Sequence, residues 1–215
     1  MALEMASFTF NPFQENTYIL HDKSRECVII DPGCFGPEEE KELRDFIEGK
    51  DLKPTKLILT HAHIDHVMGC RFVKNTWNLP IYMHRAEIPV LESTNKVGQM
   101  YGIPVATPPP ADYFLEPGDT FTVGEHTLKV LFTPGHSPGS ISFDYEAQQL
   151  LISGDVLFNG SIGRTDLPGG DFATLEESIR TQLYTLPNEV KVYSGHGPHT
   201  TIGKEKRGNP FVREA

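Results

Sequence analysis

The apolar positions of the chain begin as short runs of β-favouring residues. Residues 17–20 and 27–30 flank the turn-like His21-Asp22-Lys23-Ser24, a spacing that predicts an early hairpin. Pro37 followed by Glu38 and Glu39 suits a helix start, and Leu43, Phe46 and Ile47 recur behind it at helical spacing. Residues 56–59 read as a buried strand that runs into a cluster of histidines, after which Val67, Phe72, Val73 and Trp77 fit one face of a helix starting near Asp65. Residues 81–83 follow Pro80 as a short strand. Residues 85–118 carry no decisive period, and Pro104 with Pro108-Pro109-Pro110 predicts an extended surface excursion.

Beyond that excursion the period becomes two. Alternating runs between 120 and 132 flank Gly124-Glu125, and residues 140–143 and 150–153 add strands around a further turn. Leu175, Ile179, Leu183 and Leu186 predict a helix ending before Pro187, and residues 190–193 a last strand leading into Ser194-Gly195-His196. Strands, helices and their later alternation predict an α+β fold, an αββα sandwich with helices outside two sheets. Neither a repeat nor an interdomain linker is visible, so one domain over residues 1–215 is expected.

Composition narrows the function. With 19 Lys and Arg against 29 Asp and Glu, the formal charge of −10 opposes binding of a long phosphate backbone. Cys27, Cys34 and Cys70 are odd in number and form no C-x-x-C pair, so they read as buried hydrophobes in a reduced protein. The start Met1-Ala2-Leu3-Glu4-Met5 lacks a cationic region and an apolar stretch follows nowhere near it. A soluble cytoplasmic protein without membrane or nucleic-acid partners is the expectation.

The chemistry concentrates in Thr60-His61-Ala62-His63-Ile64-Asp65-His66. A lone His-x-His would be read as two loop histidines, but here His61, His63, Asp65 and His66 fall within six residues at a strand-to-helix loop. Positions i and i+2 of an extended segment share a face, while the helical turn redirects Asp65 and His66, so two metals suit the cluster better than one. His136, Asp155 and His196 each follow a strand and are flanked by glycine, which lets the backbone turn sharply beneath a ligand. Imidazoles with a shared carboxylate, for which Asp155 is the candidate, suit zinc or iron better than magnesium. Asp31 in Asp31-Pro32-Gly33 reads equally as a brace for a ligating imidazole or as a turn residue.

The string Thr-His-x-His-x-Asp-His with these later positions resembles the metallo-β-lactamase fold superfamily. Phe10-Asn11-Pro12-Phe13-Gln14-Glu15-Asn16-Thr17-Tyr18, the run from Gly160-Ser161-Ile162-Gly163-Arg164 to Asp171, and Gly195-His196-Gly197-Pro198-His199 are similar to its glyoxalase II-like, or hydroxyacylglutathione hydrolase, branch. The resemblance implies His61, His63 and His136 on a first metal, Asp65, His66 and His196 on a second, and Asp155 between them. It implies two divalent ions, zinc before iron or manganese, and a bridging hydroxide, oriented by Asp65, that attacks a small-molecule thioester such as S-D-lactoylglutathione. Arg164 lies where the related hydrolases place a basic residue that meets the glutathione part. Typical glyoxalase II enzymes continue into a C-terminal helical region, whereas this chain ends shortly after Asn209-Pro210-Phe211; Lys204, Lys206 and Arg207 are expected to be a solvated charge run.

Other readings remain open at this point. A persulfide dioxygenase with one iron shares Gly163-Arg164-Thr165-Asp166, and tRNA-processing metallo-nucleases share His-x-His-x-Asp-His. A purely structural metal site would close its coordination with four ligands. Gly135-His136-Ser137-Pro138-Gly139 formally matches a serine-hydrolase elbow, but Pro138 has no N–H to give an oxyanion.

Overall fold

The computed structural model of the protein describes residues 2–213, so the expected domain limits at Met1 and Ala215 lie outside the described residues. The chain divides into two compact units, residues 2–115 with 122–126 and residues 116–121 with 127–213. Each has its own sheet and core.

The first unit opens with β1 (Glu4–Phe10), β2 (Glu15–His21) and β3 (Glu26–Ile30), an antiparallel meander in which Tyr18 faces Ile30 and Leu20 faces Val28. The predicted hairpin is therefore present, and β1 adds an outer strand that periodicity did not reveal. Next come α1 (Pro37–Gly49), β4 (Lys53–Ile58), α2 (Ile64–Val67), α3 (Cys70–Trp77), β5 (Ile81–Met83), α4 (Ile88–Tyr101) and β6 (Tyr113–Phe114). The sheet order is β1-β2-β3-β4-β5-β6, and β3 through β6 run parallel. Parallel neighbours need crossover connections, which the helices supply.

Two features depart from the periodicity. The helix expected from Asp65 to Trp77 is split in two, because the chain at Gly69 passes against the preceding loop. Its N–H donates to the Pro32 carbonyl at 2.7 Å, and a Cβ there would meet Cys34 Sγ at 2.4 Å. The indecisive stretch after residue 85 contains a full helix, α4. Its inward face is Leu91, Thr94 and Gly98, too small and polar a stripe to register as amphipathic.

The second sheet contains β8 (His126–Phe132), β9 (Ile141–Tyr145) and β10 (Leu150–Gly154), each antiparallel to the next, preceded by β7 (Thr120–Val123). A two-stranded ribbon, β11 (Leu157–Phe158) and β12 (Ser161–Ile162), precedes α5 (Phe172–Ser178), whose last turns widen into a π-helix over Ile179–Leu183. β13 (Lys191–Ser194), β14 (Thr200–Thr201) and α6 (Ile202–Gly208) complete the unit, and the sheet order is β14-β13-β10-β9-β8-β7. β13 lies parallel to β10. Leu175, Ile179 and Leu183 keep the predicted apolar spacing and are fully buried with Leu151 and Val192.

This topology decides where chemistry can collect. Asp31, the histidine loop and Glu87 follow the C-terminal ends of the adjacent parallel strands β3, β4 and β5, and Asp155 and His196 follow those of β10 and β13. Loops beyond the carboxyl ends of parallel strands are where α/β sheets build ligand sites. Among the described residues, no helix is long and apolar enough to cross a membrane.

The three cysteines are free and buried, as their number and spacing predicted. Burial pushes the Cys27 thiol up to about 12 and those of Cys34 and Cys70 further still. The folded protein should therefore show no reactive thiol towards Ellman's reagent at pH 8 and three after denaturation; a thiol titrating rapidly in the native state would contradict this packing.

Candidate metal centre

In the first unit, a single carboxylate organises the ligand loop. Asp31 ends β3 in a left-handed conformation, φ 48°, which costs a non-glycine residue energy and persists because its carboxylate is fully engaged. Oδ1 accepts the Thr60 N–H at 2.7 Å, while Oδ2 accepts the Thr60 hydroxyl at 2.5 Å and pairs with His66 Nδ1 at 3.0 Å. A carboxylate offers no proton, so His66 carries its hydrogen on Nδ1. The Thr60 hydroxyl hydrogen is already engaged with Asp31, so the 3.0 Å contact between Thr60 Oγ1 and His61 Nδ1 requires His61 to donate there too. In their neutral form both imidazoles then present the Nε2 lone pair as their ligating face. Of the two readings of Asp31, the brace is the one its contacts describe.

These rings crowd together. His61 and His66 have centroids 4.1 Å apart, His61 and His63 lie 4.8 Å apart and perpendicular, and Asp65 Oδ2 is 3.7 Å from His66 Nε2. The backbone beneath them is fixed at two further points. The Ala62 N–H donates to buried Glu87 Oε2 at 2.7 Å, and Asn11 Nδ2 donates to the carbonyls of Asp65 and Gly33 at 2.9 and 3.0 Å. Glu15, beside His66 and hydrogen-bonded by Thr17, has its carboxyl held well above the usual range by burial, against the pull of His66 and with help from Asp31. Glu87 was not singled out from the sequence, and Asn11 and Glu15 lie in the Phe10-to-Tyr18 string that carries the resemblance but were given no role there. Glu87 falls in the stretch without a period, and buried charge leaves no signal in hydropathy.

In the second unit, His136 follows Gly135, whose φ of 125° and close approach to Leu175 exclude a side chain: a Cβ would sit 2.2 Å from the Leu175 nitrogen. His136 Nδ1 lies 2.7 Å from the Arg164 carbonyl, an acceptor only, so His136 also has Nε2 as its ligating atom. Asp155 Oδ2 lies 3.6 Å from His136 Nε2 and 3.4 Å from His196 Nε2. Those spacings are long for hydrogen bonds but match the roughly 3.3–3.6 Å edges of a tetrahedron built on metal–ligand bonds of about 2.0–2.2 Å. Asp155 Oδ2 is therefore placed to share a cation with either imidazole. Gly163 closes the arrangement: a Cβ there would fall 1.9 Å from the Asp155 carbonyl and 3.0 Å from His136 Nδ1.

Arg164 serves this unit through its backbone. Its guanidinium is exposed and bound bidentately by Asp166, at 2.7 Å for both hydrogen bonds, which holds the Asp166 carboxyl down to about 2. Buried Glu205 of α6 also emerges only from the structure, accepting from Gly160 N, Thr200 Oγ1 and Asn209 Nδ2 and so anchoring the ribbon before Arg164. Lys204 reaches Asn159 Oδ1, and Arg207 is exposed. His21, His84, His126 and His199 sit outside both clusters: His126 faces Asp22, and His199 leans on Tyr193.

The sequence profile of the Metallo-beta-lactamase superfamily matches residues 10–196. The chain is 44% identical to the probable metallo-hydrolase YqgX of Bacillus subtilis, over 94% of this chain and 93% of that protein. It is 38% identical to the hydroxyacylglutathione hydrolase GloC of Haemophilus influenzae, over 93% of each. The crystal structure of the BLEG-1 B3 metallo-β-lactamase superposes with a TM-score of 0.89 at 41% identity, covering 97% of this chain and 99% of that one.

The hydrogen-bond chain from Asp31 predicts that Asp31→Asn, which turns an amide donor towards two existing donors, lowers divalent-metal affinity by about 10- to 100-fold. Competition against a chromophoric chelator measures this, with circular dichroism confirming that the variant is folded; unchanged affinity would remove Asp31 from the account.

Proposed function

Because this chain belongs to the metallo-β-lactamase superfamily, we propose that it is a hydrolase of thioesters, with S-D-lactoylglutathione or a similar acyl-thiol as substrate. The observation that carries the reading is Asp155 Oδ2 set between His136 Nε2 and His196 Nε2. In this reading His61, His63 and His136 hold one divalent ion, Asp65, His66 and His196 hold another, and Asp155 belongs to both. Zinc suits a set of imidazoles and carboxylates, and iron or manganese would use the same donors. When bound, such ions lower the pKa of water and polarise a carbonyl.

The remaining work falls to the chain. The carboxylate of Asp65 is 13% exposed, so it reaches both its neighbouring imidazole and solvent, and it is placed to orient the attacking water by accepting a hydrogen bond from it. Asp31, directly and through Thr60, and the Arg164 carbonyl hold Nδ1 of three histidines and so leave Nε2 of each to a metal. A thiolate is a good leaving group, so no buried general acid is needed on its side. The Arg164 guanidinium, exposed and paired to an exposed carboxylate, is placed to exchange Asp166 for an anionic group of the substrate. The similarity to GloC supports a glutathione carrier. The net charge of −10 supports a small-molecule partner rather than nucleic acid or a membrane, and the cytoplasm is the location proposed with it.

The similarity to BLEG-1 favours a second reading, in which the acyl bond cleaved is that of a β-lactam. A third, oxidation of a persulfide at one iron, rests on Gly163-Arg164-Thr165-Asp166. Metal analysis with a substrate panel separates them. The expected result is two metals per chain and turnover of S-lactoylglutathione without oxygen uptake. Cleavage of a β-lactam alone, or oxygen consumption on glutathione persulfide with thioesters untouched, would overturn the thioester reading.

A further inference from the structure

Two aromatic rings meet in the first unit, carried by segments that touch the ligand loop. Phe13 belongs to the tight turn between β1 and β2, and Tyr101 is the last residue of α4. Their rings meet edge to face, with centroids 5.5 Å apart. Tyr101 is 51% exposed and Phe13 half-buried, so the pair presents apolar surface to solvent.

Each ring is tied to the residues that carry the candidate ligands. Asn11, two positions before Phe13, donates to the Asp65 carbonyl at 2.9 Å and accepts the Phe13 N–H at 2.9 Å through its own side chain. The Asn11 N–H is in turn held by both oxygens of Glu39, at 3.0 and 2.9 Å. Asn11 and Gln14 both adopt left-handed conformations, φ 55° and 58°, so the turn is fixed in a conformation that non-glycine residues seldom take. On the other side, Gly98 of α4 lies over Ile64, the residue between His63 and Asp65; a Cβ on Gly98 would touch Ile64 Cδ1 at 3.5 Å. Tyr101 is one helical turn beyond Gly98 and shares that face. The segments that carry the two rings thus each touch the ligand loop, one at Asp65 through Asn11 and the other at Ile64 through Gly98.

We propose that Phe13 and Tyr101 form a wall that receives an apolar, flat group of the substrate, so that the preferred acyl-thiol carries an aromatic or bulky aliphatic acyl group and not only a small hydroxyacyl one. The inference rests on the thioester reading for what the wall recognises. Two rings cannot supply the roughly 800 Å² per partner of a stable protein interface, whereas an edge-to-face pair with a third face open suits one small ring. Held rigidly, the wall loses little entropy when it binds.

The test separates this wall from the reaction. Acetate and phenylacetate offer the same carboxylate head to the metal-loaded protein, and only the second has a ring. Calorimetry should show phenylacetate binding about five- to tenfold tighter than acetate. Phe13→Ala and Tyr101→Ala should each reduce that ratio towards one. Tyr113→Ala, which removes an exposed ring stacked on Tyr82 elsewhere in this unit, should leave it intact. In steady-state kinetics the phenylacetyl-to-acetyl ratio of kcat/KM on a common thiol should fall with the same two variants. A wild-type ratio near one, a ratio indifferent to both variants, or a dimer in sedimentation that they dissociate would each overturn the wall. If no thioester is cleaved yet the binding preference follows the variants, the wall stands and the thioester reading fails.

Discussion

The structure depends most on one carboxylate accepting three hydrogen bonds at the end of a strand. Asp31 accepts hydrogen bonds from the Thr60 N–H, the Thr60 hydroxyl and His66 Nδ1, and through the hydroxyl it also determines the tautomer of His61. A buried imidazole has two neutral forms, and only one turns its lone pair towards a metal; choosing it in advance removes a rearrangement from every binding event. The cost appears in the backbone, as a left-handed aspartate before a proline. That strain is tolerated because each carboxylate oxygen is satisfied.

The same logic recurs in the second unit with a different acceptor. There the Arg164 carbonyl orients His136, and the loop can approach so closely only because residue 163 is glycine. Both units place these groups beyond the carboxyl ends of parallel neighbours, β3 to β5 in one and β10 with β13 in the other. A sheet edge thus supplies rigidity, and short loops supply the chemistry.

Much of this was legible in the residues themselves. Imidazoles and carboxylates at metal-binding spacing in residues 61–66 declare their chemistry without reference to neighbours, and Leu43 with Ile47 or Leu175 with Ile179 declare a helical face. What stayed hidden depends on contacts distant in sequence. α4 packs through Thr94 and Gly98, which carry no apolar period, and the break at Gly69 comes from the Pro32 carbonyl thirty-odd positions away. Glu87, Asn11 and Glu205 act as acceptors or donors for backbone groups of remote loops. Nothing local distinguishes them from solvated polar residues. The resemblance to the superfamily reached the ligands, but not the hydrogen bonds that orient them.

The account therefore rests on proton positions, and those can be observed directly. Long-range ¹H–¹⁵N correlation of the histidine side chains in the metal-free protein near neutral pH reports which ring nitrogen carries hydrogen. His61, His66 and His136 should appear as neutral rings protonated on Nδ1, and Asp31→Asn should disturb the first two while leaving His136 unchanged. Protonation of His66 or His61 on Nε2 in the unaltered protein would contradict the central claim.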